Sequence, residues 1–126
     1  MKLLFWQWHS FMGKGVERAL RKLEGEYDTF FYQMKDWEED EIFAEQLESR
    51  LATGQYNIVF SINFNPIISE VCEMHHIAYR AWVYDSPIHI RNLTPLKNTY
   101  TKAYFFDRGQ VLEYQKNGIA AEYLPL

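Results

Sequence analysis

Two apolar runs, YNIVFSI at residues 56–62 and AYRAWVY at residues 78–84, flank a segment whose apolar positions recur at helical spacing. That alternation constrains the fold more than any other feature of the chain. A strand with one face in water alternates apolar and polar residues, whereas a largely apolar run is expected when both sheet faces are covered. Between the two runs, Asn65 is a good helix N-cap, and Pro66 stands at the first helical position, where its missing N–H costs nothing. Ile67, Ile68, Val71, Cys72 and His75 then share the buried side of that helix. Strand, helix and strand at this spacing make a parallel crossover.

The same rhythm continues in both directions. Residues 2–8 (KLLFWQW) read as a first strand, and Val16, Ala19, Leu20 and Leu23 follow at helical spacing, with Gly25 as the stop. Residues 26–33 (EYDTFFYQ) read as a second strand. The acidic stretch from Asp36 to Glu41 suits the first turn of a second helix, where carboxylates meet the positive end of the dipole; its apolar positions are Phe43, Leu47 and Leu51. Beyond the fourth strand, residues 100–106 form a fifth, and Asp107 caps a short helix through Val111 and Leu112 that Gly118 ends. Residues 119–124 close as a sixth strand. The expected fold is a Rossmann-like, three-layer α/β domain, with a mainly parallel sheet of about six strands covered by helices on both faces.

With 126 residues, the chain is expected to be a single domain, 1–126. Its net charge of -4 offers no general attraction to phosphate backbones or anionic lipid, so neither nucleic acid nor a membrane surface is expected as partner. No stretch approaches the roughly 20 apolar residues of a membrane span, and MKLLFWQWHS lacks the apolar length and cleavage site of a signal peptide. The single Cys72 excludes an internal disulfide framework. These features predict a soluble, cytoplasmic domain. Four Trp, nine Tyr and nine Phe are more aromatics than a small core ordinarily holds; most should fill it, and the rest should face a partner or a sugar ring.

Ligands of an open parallel sheet bind outside the carboxyl ends of its strands. Four places qualify: His9 and Ser10 after the first strand, Asn63 and Asn65 after the third, Asp85 to Arg91 after the fourth, and Asp107 with Arg108 after the fifth. The connection from Asp85 to Thr99 is long for an α/β turn, which favours a functional loop. Asp85 fits either a direct role or an Asx-type turn before Pro87; His9 and His89 fit ligand contact or ordinary loop positions; Arg91 fits an anion clamp or a solvated charge. Gly13 and Gly15 do not complete a dinucleotide fingerprint, because position 18 is Arg18, and no phosphate loop or Ser-His-Asp order is present. Cys72 and His76 lie four apart, but no second ligand pair accompanies them, so no metal site and no cofactor is expected.

The segments YNIVFSINFNPIISEVC, RAWVYDSP, AYFFDR and NGIAAEYLPL together resemble the N-terminal region of the CgeB-like bacterial glycosyltransferases, over most of the chain. WVYDSP and FFDR are the most specific parts. The resemblance implies the acceptor-side half of a two-domain GT-B enzyme that transfers a sugar from a nucleotide-sugar donor, with a C-terminal donor-binding domain as its partner. The chain stops at LPL directly after its last strand, as expected of such a half. Asp85 is then the first candidate catalytic base and His9 the second, with Asn63, Ser86, His89 and Arg91 as candidate substrate-binding residues. The chain alone should be inactive, and apolar surface near its strand tips should favour self-association. A non-catalytic α/β module that recognises a glycan or a protein is the alternative.

Overall fold

The computed structural model describes residues 2–7, 15, 18, 21, 26–34, 36–83, 94–105 and 107–124. Six strands form one sheet: β1 (Lys2–Gln7), β2 (Glu26–Phe31), β3 (Ile58–Ile62), β4 (Ala78–Val83), β5 (Thr101–Phe105) and β6 (Ala121–Tyr123). Every pairing is parallel, and the spatial order is β2-β1-β3-β4-β5-β6. Among the described residues, three bounded helices connect them: α1 (Glu41–Gly54) before β3, α2 (Pro66–His75) before β4 and α3 (Arg108–Lys116) before β6. A short 3₁₀ turn, Thr94–Lys97, precedes β5. The Rossmann-like α/β fold and the parallel sheet of six strands are as expected, while the expected cover of helices on both faces rests on residues outside those described. Among the described residues, no helix is long and apolar enough to cross a membrane.

The order of the strands decides where the helices lie. From β2 the chain jumps over β1 to β3 and then advances one strand at a time in the same direction. Right-handed crossovers running one way place their helices on one face. The core agrees. Leu4, Trp6, Phe30, Val59, Tyr79, Ala81, Ala103 and Phe105 share one cluster with Phe43, Leu47 and Leu51 of α1, Ile68, Val71 and Cys72 of α2 and Val111 of α3. Phe5 and Ile62, on alternate positions of their strands, form a second cluster with Leu3, Tyr27 and Phe60. Of the helix expected from residues 16–23, only Arg18 and Arg21 are described; like Gly15 just before it, they are helical and exposed.

Local chemistry explains the helix starts. Asp40 caps α1 by accepting the Phe43 N–H at 3.0 Å, and Asn65 caps α2 by accepting the Ile68 N–H at 3.0 Å. The acidic run therefore precedes α1 for the most part, and only Glu41 lies in its first turn. On α2, Ile67 and His75 are half-buried instead of buried. On α3 the inward side is Val111 with half-buried Tyr114, while Leu112 is 60% exposed, because a nine-residue helix presents only about two turns to the sheet.

Aromatic residues concentrate where α1 meets β1 and β2. The Trp6 ring lies 5.2 Å from Trp37 and 5.1 Å from Phe43, and Phe43 stacks on Phe30 at 5.8 Å. Such tilted and offset pairs add roughly 0.5–1.5 kcal/mol each to plain area burial. Much of the aromatic content is thus core. Three exposed apolar side chains stand at the carboxyl ends of the two edge strands: Phe31 on β2, and Tyr123 with Leu124 on β6.

Candidate functional site

The sheet reverses direction between β1 and β3: the chain leaves β1 toward β2 on one side, and later strands accumulate on the other. The carboxyl ends of β1 and β3 therefore bound the crevice in which open α/β sheets hold their ligands. Asn63 is at this point, directly after β3. Its backbone is left-handed, with φ of 62°, a region that asparagine tolerates better than most residues, and its N–H extends the ladder to the Trp82 carbonyl at 2.7 Å. Only 7% of Asn63 is exposed.

The turn that carries Asn63 is held by a buried polar network. The Ser61 hydroxyl donates to the Asn63 carbonyl at 2.7 Å and lies 2.5 Å from the Tyr79 hydroxyl, which accepts the Asn65 N–H at 3.0 Å. Burial pushes the Tyr79 phenol above its ordinary pKa, so it remains a neutral hydroxyl. Asn65 also reaches across to the loop after β2: its amide donates to the Trp37 carbonyl at 2.8 Å, while the Trp37 indole donates to the Phe64 carbonyl at 2.7 Å. Asn65 is fully buried, so its side chain serves as cap and cross-tie and is not presented to a ligand. The turn at the tip of β3 is thus tied on both sides by hydrogen bonds.

A second network fixes the return of the long connection that follows β4. The Ser69 hydroxyl donates to the Pro95 carbonyl at 2.8 Å and lies 2.6 Å from the Thr101 hydroxyl. The Glu73 carboxylate accepts the N–H groups of Thr99 and Tyr100 at 3.1 and 3.0 Å. The Tyr100 amide, then that of Thr99, holds the Glu73 carboxyl below the usual carboxylate range. Helix α2 thus links the β3 tip at its start to the end of the β4–β5 connection near its last turn.

Of the residues singled out from sequence, Asn63 lies at the crevice. Asp85, Ser86, His89 and Arg91, like His9 and Ser10, lie outside the described residues. Asp107 is the exposed N-cap of α3, accepting the Gly109 N–H at 2.8 Å, and the Arg108 guanidinium lies 4.7 Å from the Tyr123 ring. Cys72 is enclosed in the core, where burial raises its thiol pKa to about 12, whereas His76 is exposed in a left-handed position after α2. Among the described residues, no group of three or more His, Cys, Asp or Glu could hold a metal ion.

Sequence reasoning missed Trp82. This penultimate residue of β4 is half-buried, and its indole N–H is shielded from solvent without an acceptor. An unpaired buried donor of this kind costs on the order of 1–3 kcal/mol. The polar Ser61 within the apolar run IVFSI was the available signal for the other missed group, the Ser61–Tyr79 pair.

No family model matches the sequence, and neither a curated protein nor a solved structure matches it significantly.

Proposed function

We propose that this chain is the acceptor-side half of a bacterial two-domain glycosyltransferase that moves a sugar from a nucleotide-sugar donor to an acceptor hydroxyl. The observation that carries the reading is the reversal of strand order between β1 and β3, with Asn63 at the tip of β3 on the crevice so formed. The segment of the resemblance that contains Asp85 leaves the carboxyl end of β4, the neighbouring strand, two residues beyond Val83. A carboxylate there is suited to accept the proton of an attacking hydroxyl. The leaving phosphate needs positive charge or helix N-termini, which the donor-binding half supplies in this reading.

The test is sugar transfer by the full-length protein. Asp85→Asn should lower turnover by roughly 10²–10⁴-fold and leave the fold unchanged if Asp85 is the base. If the carboxylate only ties its loop, the change costs about 1 kcal/mol of stability and spares much of the activity, and the base moves to His9. The 126-residue chain by itself should bind no nucleotide sugar at micromolar concentration; calorimetry that finds such binding contradicts the acceptor-side assignment.

A further inference from the structure

Of the asparagines in the chain, only Asn117 is followed by a glycine. Such a pair is chemically labile. The amide nitrogen of the following residue can attack the asparagine carboxamide, and glycine, with no Cβ, leaves that nitrogen unshielded. Asn57, Asn63 and Asn98 are followed by Ile58, Phe64 and Thr99, whose side chains crowd the attack, and Asn65 precedes Pro66, which has no N–H to lose. Asn117 and Gly118 are both exposed, and a Cβ on Gly118 would meet nothing within 4 Å, so water reaches the pair.

The fold engages both reactants. They lie where α3 ends and the chain turns toward β6. Gly118 has a left-handed backbone, with φ of 79°, and donates its N–H to the Gln115 carbonyl at 3.1 Å. The Asn117 carboxamide donates back to the Glu113 carbonyl at 2.9 Å. The Tyr114 carbonyl accepts the N–H groups of Asn117 and Ile119 at 3.0 and 3.2 Å, and the Tyr114 ring stacks on Phe105 at 5.0 Å. The Gln115 side chain ties the helix to β6 by donating to the Ala121 carbonyl at 2.8 Å. Ring closure needs the Gly118 nitrogen to give up its proton and the carboxamide carbon to swing onto it. In the docked turn each group is held by another partner.

We infer that Asn117–Gly118 is a site of spontaneous deamidation that the docked turn restrains and that opening of the turn releases. The Gly118 nitrogen, its proton passed to water, bonds to Asn117 Cγ, and ammonia leaves, giving a five-membered succinimide. Water then opens the ring at either carbonyl. One product is aspartate; the other is isoaspartate, whose backbone runs through Cβ and Cγ and is one atom longer. Either product puts a negative charge at the carboxyl end of α3, where the helix dipole disfavours it, and an ionised carboxylate cannot donate to the Glu113 carbonyl. The longer backbone also works against buried Ile119 and against β6, an edge strand of three residues that pairs with Ala103, Tyr104 and Phe105. The reaction therefore loosens the turn that restrained it. The inference does not depend on the glycosyltransferase reading, since no residue of the crevice takes part.

Incubation of the 126-residue chain at mildly alkaline pH tests it, beside the same chain unfolded in urea and a synthetic peptide of residues 114–126. Trypsin cleavage after Lys116 releases the segment that begins at Asn117, and mass spectrometry with separation of the isoaspartyl form reads its conversion. Asn117 should convert before any other asparagine, and more slowly in the folded chain than in the peptide by roughly tenfold or more, because reaction waits on local opening. Gln115→Ala, which cuts the tie to Ala121, should bring the folded chain closer to the peptide's rate. Asn117→Asp, the simpler product, should lower the midpoint of urea unfolding. A folded chain that converts at the peptide's rate overturns the restraint by the turn. An unfolded chain in which another asparagine converts while Asn117 stays intact overturns the site.

Discussion

At the end of β3 Asn65 caps α2, and at the end of β5 Asp107 caps α3. Both residues have extended backbone, and both accept a first-turn N–H with a side-chain oxygen. Their surroundings differ. Asn65 is fully buried, and its amide also donates to the Trp37 carbonyl, while its own N–H is taken by Tyr79. Asp107 is exposed, and its carboxylate accepts the Gly109 N–H while its carbonyl accepts that of Val111. The same capping chemistry therefore serves as a cross-tie between two loops in one place and as an ordinary helix start in the other. The cross-tied turn lies beside Asn63 at the tip of β3.

Mutation should separate the two turns sharply. Asn65→Ala removes both the cap on the buried Ile68 N–H and the bond to the Trp37 carbonyl, so a loss of about 2–4 kcal/mol is expected by denaturant unfolding. A loss no larger than that of Asp107→Ala would remove the distinction between the turns. Tyr79→Phe keeps the ring and deletes the hydroxyl between Ser61 and the Asn65 N–H; about 1–3 kcal/mol should go, because the amide is left buried without an acceptor. If Tyr79→Phe is neutral, the network does not hold the turn. Asp107→Ala should cost about 0.5–1 kcal/mol, the ordinary value of an exposed cap.

The smallest effect concerns the far end of α2. The Glu73 carboxyl is held below its ordinary value of 4.5 by the amides of Tyr100 and Thr99. A depressed folded-state pKa contributes stability that is present above the unfolded value and lost as pH falls through the folded one. Acid titration of stability should therefore show a small extra loss below about pH 4.5, well under 1 kcal/mol because the group is near the surface, and Glu73→Gln should remove it. An unchanged acid limb in that variant would mean that the carboxylate does not fasten the connection.

The alternation of apolar runs with helical spacing was enough to place all six strands, since a run such as IVFSI has no stable home except a covered sheet. The caps Asn65 and Asp107 were equally plain, because a short polar side chain before a periodic segment satisfies the orphan N–H groups of a helix wherever that helix lies. Ends were less legible. Tyr56 reads as the start of β3 but leaves the strand to bond Asp28 through its hydroxyl at 2.5 Å, a contact across 28 positions. Residues 119 and 120 likewise stay outside β6, where the ladder begins at Ala121 opposite Ala103.

What the amino-acid sequence determined by itself was everything set by near neighbours: the period of the apolar positions, the capping residues, the strand tip at which Asn63 falls. The tertiary structure decided the order β2-β1-β3-β4-β5-β6, and with it the reversal beside Asn63 and the two different faces of the sheet. It also decided that Asn65 is a cross-tie and Asp107 is not. Strand order depends on which distant apolar faces bury one another, and a buried hydrogen bond depends on which donor and acceptor that burial brings together; neither is written in the spacing of one segment.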